Sequence, residues 1–493
     1  VRLPFAAPLL AALTFAWPTP LPTSPPLPPG TILWNGARAT SFDLDVRPLD
    51  VTADGDARAL VRVVLRDAQG APTHARHGTS FGWFTSRGEA QWQTGLRFGG
   101  HAAIVSVREE GPVTLRVVAN RPTLGERRVT FDPRQWHLSR VAGAALGPHL
   151  VRIGWFPRVT NGAVEIARIG SDGRARIVAH VAAPSSSWSD DDVTPGETAR
   201  YVVTLPGGTV VPVGVPVPDE IPPSGLDAVR GKGMWLAFSG DPQDDDGFDK
   251  LDVDRIVATA QRAGIRYVEL RLAYGAFGQV TPAAKPTIDR LIDTLDAAGI
   301  AVVGWTVPRA VAFDDLAEAV AVARYRTPSG HGVRGLAVDL ERGEEFLGEG
   351  APGYAALRDY LGLLRRAVGP HVLLVATVED PFLERLDEAR FPYAEIAAQA
   401  DVLQPMTYWR ATGADAVEAT SESIARLRAL ARRPIPIALG AQTAYLSRHG
   451  PPPPGEIRAS IAAAKRLDAV GVAFYDWRGT SPPQWQALAD TPW

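Results

Sequence analysis

Cysteine is absent from all 493 residues. That excludes thiol nucleophiles, thiolate metal sites and disulfides. It leaves the compartment open, because a secreted chain of this size can fold without disulfides. Lysine is nearly absent as well. Lys232, Lys250, Lys285 and Lys465 are the only four, and arginine makes up the rest of the 51 basic residues. We read that bias as a habit of the genome rather than a sign of function. Excess charge of either sign is missing, since the formal net charge is −3. Nothing therefore calls for nucleic acid or an acidic membrane surface as partner. In the C-terminal half metal-type histidine spacing is missing too: His331, His371 and His449 are scattered. No metal or other cofactor is implied.

Long apolar runs are lacking except at the start. There Arg2 precedes Leu3–Trp17, the size of a signal-peptide core and short of the ~20 residues a spanning helix needs. Pro4, Pro8 and Pro18 also argue against a spanning helix, and no small-x-small cleavage site follows. A proline-rich tract from Pro18 to Pro29 reads as an extended spacer. Residues 1–30 are thus expected to direct export, with the run cleaved or kept as an envelope anchor.

The remaining length calls for several domains. From 31 to 132 the pattern is β: Val61, Val63 and Leu65 alternate with Arg62, Val64 and Arg66, and Val113, Leu115 and Val117 alternate in the same way. "VRVVLRDAQGAPT" (61–73) resembles bacterial immunoglobulin-like repeats. A second β unit spans 133–218, with strand candidates at Val151–Trp155, Val164–Arg168 and Arg200–Leu205. Its Pro195–Gly196–Glu197–Thr198 followed by Tyr201 resembles the end of a fibronectin type III module. That likeness implies a corner tyrosine bonded back to the backbone, with Trp155 as core tryptophan. Both units are expected to be sandwiches serving as spacers. Pro212, Pro216, Pro218, Pro222 and Pro223 read as a stiff linker.

After the prolines the rhythm changes. Short apolar runs alternate eight times with helical stripes such as Val253, Ile256, Val257, Ala260 and Ile288, Leu291, Ile292, Leu295. Residues 225–493 are therefore expected to form an α/β (β/α)8 TIM barrel. A doubly wound sheet is the alternative, but no glycine-rich phosphate loop follows the first strand. Gly348–Gly353 fits G-x-G-x-x-G, yet Pro352 removes a donor that a phosphate would use. The acidic run Asp241–Asp249 fails the calcium-loop register and reads as a solvated loop.

Function in such barrels sits at the C-terminal strand ends. There stand Glu269 and Arg271; Trp305; Asp339 and Glu341; Glu379 and Asp380; Gln404, Met406, Tyr408 and Trp409; Gln442; and Tyr475, Asp476 and Trp477. Carboxylates do acid–base work on glycosidic oxygens and aromatic faces stack on sugars. Asp339 and Glu341 are two apart on one strand and share a face. Two acids so close raise the pKa of one, which can then serve as general acid. The lesser alternative is that both face solvent or form a structural ion pair with a barrel arginine such as Arg271. The tryptophans Trp235, Trp305, Trp409 and Trp477 are either a sugar-stacking floor or plain core, with Trp409 and Trp477 favoured as ligand-facing.

"RGLAVDLE" (334–341) resembles the strand-four signature of family 18 glycoside hydrolases, the chitinase-like enzymes. "VLQPMTYW" (402–409), "IALGAQ" (437–442) and "GVAFYDW" (471–477) resemble its strands six, seven and eight. The resemblance implies Glu341 as proton donor, Asp339 as the acid that orients the substrate's acetamido group, and Tyr408 as its hydrogen-bond donor. Tyr475 or Trp477 would stand where the family has a floor tryptophan. Arg334 and Ala337 replace two acids of the signature, Leu340 replaces a tryptophan, and Trp409 replaces an aspartate. The expected partner is a polysaccharide or other glycan. The expected activity is glycoside hydrolysis at the cell surface or outside the cell. A non-catalytic glycan-binding or adhesion protein on the same scaffold is the rival.

Overall fold

In a computed structural model the described residues are 39–71, 73, 81–93, 102–135, 140–240, 247–343, 346–444 and 449–493. The apolar N-terminal run, the proline-rich spacer and residues 241–246 of the acidic run lie outside them. The chain divides into two compact units, residues 1–140 with 156–158, and residues 141–155 with 159–493.

The first unit is antiparallel β. Strands Ser41–Leu49, Ala57–Arg66, Ala102–Val107 and Glu89–Gln93 pair in that order into one sheet. Phe81–Thr85, Val113–Ala119 and Glu126–Phe131 form another. Val113, Leu115 and Val117 are fully buried on one face, as their alternation predicts. Phe42 of the first sheet meets Phe81 of the second edge to face at 5.2 Å. Arg62 departs from the simple alternation. It lies in a central strand and is buried along with its apolar neighbours.

The second unit begins with two more antiparallel sheets. One orders Ala175–Ala182, Ala163–Ile169, Thr198–Thr204 and Val210–Pro216; the other orders Ser185–Asp190, Leu150–Val159 and Val141–Gly147. Both contribute to one core around Trp155, Ile153, Val164, Tyr201 and Val203. Trp155 is fully buried and its indole donates to the Ser185 carbonyl at 3.0 Å. Tyr201 does not bond back to the backbone: its hydroxyl donates to the buried Asp190 carboxylate at 2.8 Å, which Arg168 also reaches at 3.2 Å. The supposed linker is in part a strand. Pro212 and Pro216 lie in Val210–Pro216, at the sheet edge where a missing N–H costs least. Leu146, Leu150 and Ile221 join the barrel's own core cluster, so these sheets are docked on the barrel rather than held off it.

The barrel strands are β1 (Gly231–Leu236), β2 (Ile265–Tyr274), β3 (Ala301–Val307), β4 (Leu336–Leu340), β5 (Leu374–Val378), β6 (Val402–Pro405), β7 (Ala438–Gln442) and β8 (Gly471–Tyr475). They pair in parallel in the order 6-5-4-3-2-1-8-7. Bridges Leu403–Ile437 and Met406–Gly440 join β6 to β7 and close the ring. The helices α1 (Val253–Arg262), α2 (Lys285–Ala297), α3 (Phe313–Ala323) and α4 (Gly350–Val368) follow the first four strands. The apolar stripes read from sequence face the strands: Ile288, Leu291, Ile292 and Leu295 of α2 are wholly buried. Each such side chain contributes about 1.5–3 kcal/mol. The G-x-G-x-x-G stretch is a helix start, not a phosphate loop. Gly353 packs against the Gly348 backbone, where an added Cβ would come within 2.4 Å.

Two apolar layers result. One lies between strands and helices, the other inside the ring around Trp235, Tyr267, Val303, Trp305, Ala337 and Val375. Inside the ring, small residues on some strands make room for large ones on others. At Gly233 an added Cβ would lie 2.3 Å from the Tyr267 ring. Gly233→Ala is expected to lose about 1–3 kcal/mol of stability by overpacking. The loss should shrink in a Tyr267→Leu background. Urea midpoints of the four proteins check this, and an undiminished loss would disprove the contact as its cause.

Candidate active site

Strand alternation sends Trp235 of β1, Glu269 and Arg271 of β2, Trp305 of β3, Asp339 of β4, Thr377 of β5 and Gln404 of β6 toward the barrel axis. Asp339 pairs in register with Thr377, and Thr377 with Gln404, so the three stand side by side on adjacent strands. Thr377 Oγ1 donates to Gln404 Oε1 at 2.7 Å. That bond turns the amide nitrogen of Gln404 across the barrel, where it donates to Glu269 Oε1 at 2.7 Å. A hydrogen-bonded chord thus runs from β5 through β6 to β2. Thr377 was not among the residues expected from sequence. Its signal was a polar side chain at an inward position of an otherwise apolar strand.

The interior is closed off from bulk solvent. Glu269, Thr377 and Gln404 have no exposed surface and Asp339 is 4% exposed. Burial pushes the Glu269 carboxyl up to about 7, with the Gln404 amide and the Trp235 indole opposing the rise. Asp339 is pushed well above its ordinary value by burial first, then by the charges of Glu341 and Glu269. The Trp305 indole and the Arg271 guanidinium act against that rise. Glu341 follows the last residue of β4 and is partly exposed, so the pair grades from a buried lower acid to an accessible upper one.

Aromatic rings wall this pair. Trp235 lies 5.2 Å from Trp305, 5.3 Å from Tyr475 and 6.5 Å from Tyr408, centroid to centroid. Tyr408 and Tyr475 lie 5.9 Å apart. Arg271 sits 5.6 Å from the centre of the Trp305 ring. The Tyr408 hydroxyl is held protonated by burial and by the nearby Asp339 carboxylate, so it is a donor. Met406 packs partly buried beside the same interior cluster.

Other expected residues go elsewhere. Trp409 is fully buried in the outer layer, its indole donating to Glu456 at 2.8 Å, and is turned away from any ligand at the mouth. The strand ends at Pro405, and Trp409 opens a short helical turn, Trp409–Thr412, whose side chain packs in the outer layer. Trp477 packs against Trp485, centroids 4.7 Å apart and rings inclined by 58°, instead of joining the four rings. Gln442 is buried, its carbonyl accepting the Arg410 backbone N–H at 2.8 Å, a loop-fixing role. Glu379 is held by Arg342, whose backbone and guanidinium N–H groups donate to it at 2.7 Å. Asp380 is buried, taking the Thr407 hydroxyl at 2.6 Å and two backbone N–H groups. Asp476 caps a turn by accepting the Gly479 N–H at 2.9 Å. Among these carboxylates at other strand ends, Glu269 is the one that acts on Asp339.

The fold and the mouth define a (β/α)8 barrel with an acid pair at the end of β4 inside an aromatic wall. No family model matches the chain, and no curated protein matches it. Solved structures do. The spore cortex-lytic enzyme SleL of Bacillus megaterium is similar at 10% identity and TM-score 0.37, over 56% of this chain and 76% of its own. A chitinase from Chromobacterium violaceum is similar at 13% identity and TM-score 0.36, over 52% and 98%. The PgaB glycoside hydrolase domain of Bordetella bronchiseptica is similar at 14% and 0.37, over 53% and 98%. Likeness at this level does not bear on chemistry.

The buried Glu269 has a consequence for stability. Its folded value of about 7 stands above the ordinary 4.5. Below about pH 4.5 folded and unfolded chains both hold the proton; between there and about 7 only the folded chain does. The protein therefore loses stability, on the order of 3 kcal/mol from this group, as pH rises through that window. Glu269→Gln should flatten the fall. Denaturant midpoints from pH 4.5 to 8 measure it, and parallel curves for the two proteins would rule out the assignment.

Proposed function

We propose that the barrel is a glycoside hydrolase acting on a cell-wall or extracellular polysaccharide, with Glu341 as general acid. The carrying observation is the β4 acid pair: a buried Asp339 beneath a partly exposed Glu341, whose charge raises the cost of ionising Asp339. Such a pair retains a proton where an isolated carboxyl would have lost it, which a general acid requires. Glu341 would protonate the glycosidic oxygen. Asp339 would orient the substrate and tune Glu341. The protonated Tyr408 hydroxyl would donate near the anomeric centre, and the partly exposed Tyr475 would present its ring to the sugar, with Trp305 buried behind it as packing. The likeness of residues 334–341 and 402–408 to the chitinase-like family supports the same roles. Export through the N-terminal segment, a secreted or cell-surface location, and immunoglobulin-like and fibronectin-like identities for the two β units belong to this proposal.

A non-catalytic glycan-binding barrel is the second reading, favoured by one observation. Position 337 of the acid signature is an alanine sealed in the core, and Arg334 points to Asp296 at the opposite, N-terminal rim. A screen of glycans that includes peptidoglycan and chitin fragments separates the two. Glu341→Gln is expected to lower kcat/KM on the active substrate by about 100- to 10,000-fold. Equal turnover by both proteins would eliminate Glu341 as the acid. Binding by both with turnover by neither would establish the second reading.

A further inference from the structure

Two carboxyls face the solvent-shielded interior of this barrel from different strands, Glu269 from β2 and Asp339 from β4. Their supply of compensating groups is small. Glu269 Oε1 takes the Gln404 amide, while Glu269 Oε2 and Asp339 Oδ1 have no partner at hydrogen-bond geometry among the described residues. The indole N–H groups of Trp235 and Trp305 lie near enough to Glu269 and Asp339 to favour their charge but make no hydrogen bond of normal geometry. The ionisable groups that act on the pair are Arg271 and Tyr267 from β2, Glu341 at the end of β4, Tyr408 beyond β6 and Tyr475 from β8. Arg271 is the single cation among them. A buried carboxylate needs a partner or several donors, and with Arg271 the one cation acting on them, two carboxylates in this solvent-shielded space do not both ionise at neutral pH.

We infer that Glu269 is a positioning residue that governs the charge of Asp339: the two carboxyls share the interior's one negative charge, so Asp339 ionises only while Glu269 holds its proton. The Thr377–Gln404–Glu269 chord is the device that sets the division. Gln404 offers an N–H to Glu269, favouring charge there, and Thr377 keeps the amide turned the right way. In the opposite arrangement Glu269 is neutral and Asp339 carries the charge beneath Glu341. The proton on Asp339 and the proton on Glu269 are thus alternatives, and no co-reactant is needed to exchange them.

The inference deepens the glycosidase reading and depends on it only for the kinetic consequence. A titration without substrate tests the charge sharing itself. The carboxyl absorption of Asp339 in the infrared is identified by its loss in Asp339→Asn and followed against pH. In Glu269→Gln the Asp339 midpoint should fall by at least about one pH unit, a tenfold change. In Glu269→Asp it should stay nearer the wild-type value. Gln404→Leu, which removes a donor that favours Glu269 charge, should also lower the Asp339 midpoint, and serves if Glu269→Gln fails to fold. An unchanged midpoint in a folded variant of either kind would overturn the inference, as would simultaneous ionisation of both acids at neutral pH in the wild type. If a substrate is found, Glu269→Gln should move the acid limb of kcat/KM to lower pH with KM little changed. Absence of turnover by the wild type would count against the glycosidase reading while leaving the titration to decide the charge sharing.

Discussion

Closing eight strands into a ring leaves an interior just wide enough for side chains, and every second residue of each strand must go there. The rest of the site follows from that constraint. Glu269, Asp339, Thr377 and Gln404 occupy inward positions, so they are dehydrated whether or not they are paired. Dehydration then forces the polar groups to find one another, and the chord from Thr377 through Gln404 to Glu269 is one result. The raised carboxyls are the other. A barrel filled only with apolar layers would be more stable and would have no acid held protonated near neutrality.

The same constraint separates two kinds of aromatic residue. Trp235 and Trp305 point inward, crowd against Tyr408 and Tyr475, and form a wall around the acids. Trp409 and Trp477 lie only a few residues from those tyrosines in the chain but belong to outer packing, against Glu456 and Trp485. Nearness in sequence to a site residue is a poor guide once the strand has ended, because the alternation that predicts direction ends with it. Acids divide in the same way. Glu379 and Asp380 stand at the end of β5 yet are consumed by Arg342, Thr407 and backbone donors. They hold the loops that frame the mouth.

The docked β sheets change the picture of the proline-rich stretch between them and the barrel. Proline can mark a stiff linker or the outer strand of a sheet, and composition alone does not separate the two. Pro212 and Pro216 are in an edge strand whose partner, Thr198–Thr204, carries the buried Tyr201. Leu146, Leu150 and Ile221 share the core of the barrel helices. These sheets are a brace on the barrel.

Periodicity was enough to read the barrel, its strand order of appearance and the helix stripes, because burial on one face imposes a period of two or about 3.6 on the residues themselves. It was also enough to place Asp339 and Glu341 on one face of one strand. What needed the folded chain was every relation between residues distant in sequence. Gln404 and Glu269 are 135 positions apart and meet only because β6 and β2 face each other across the ring. The role of Glu269 beside Asp339, and the diversion of Trp409 and Gln442 into packing, were likewise decided by tertiary structure. Local pattern reports which way a side chain leaves its own strand, whereas a site is made by what arrives from the other strands.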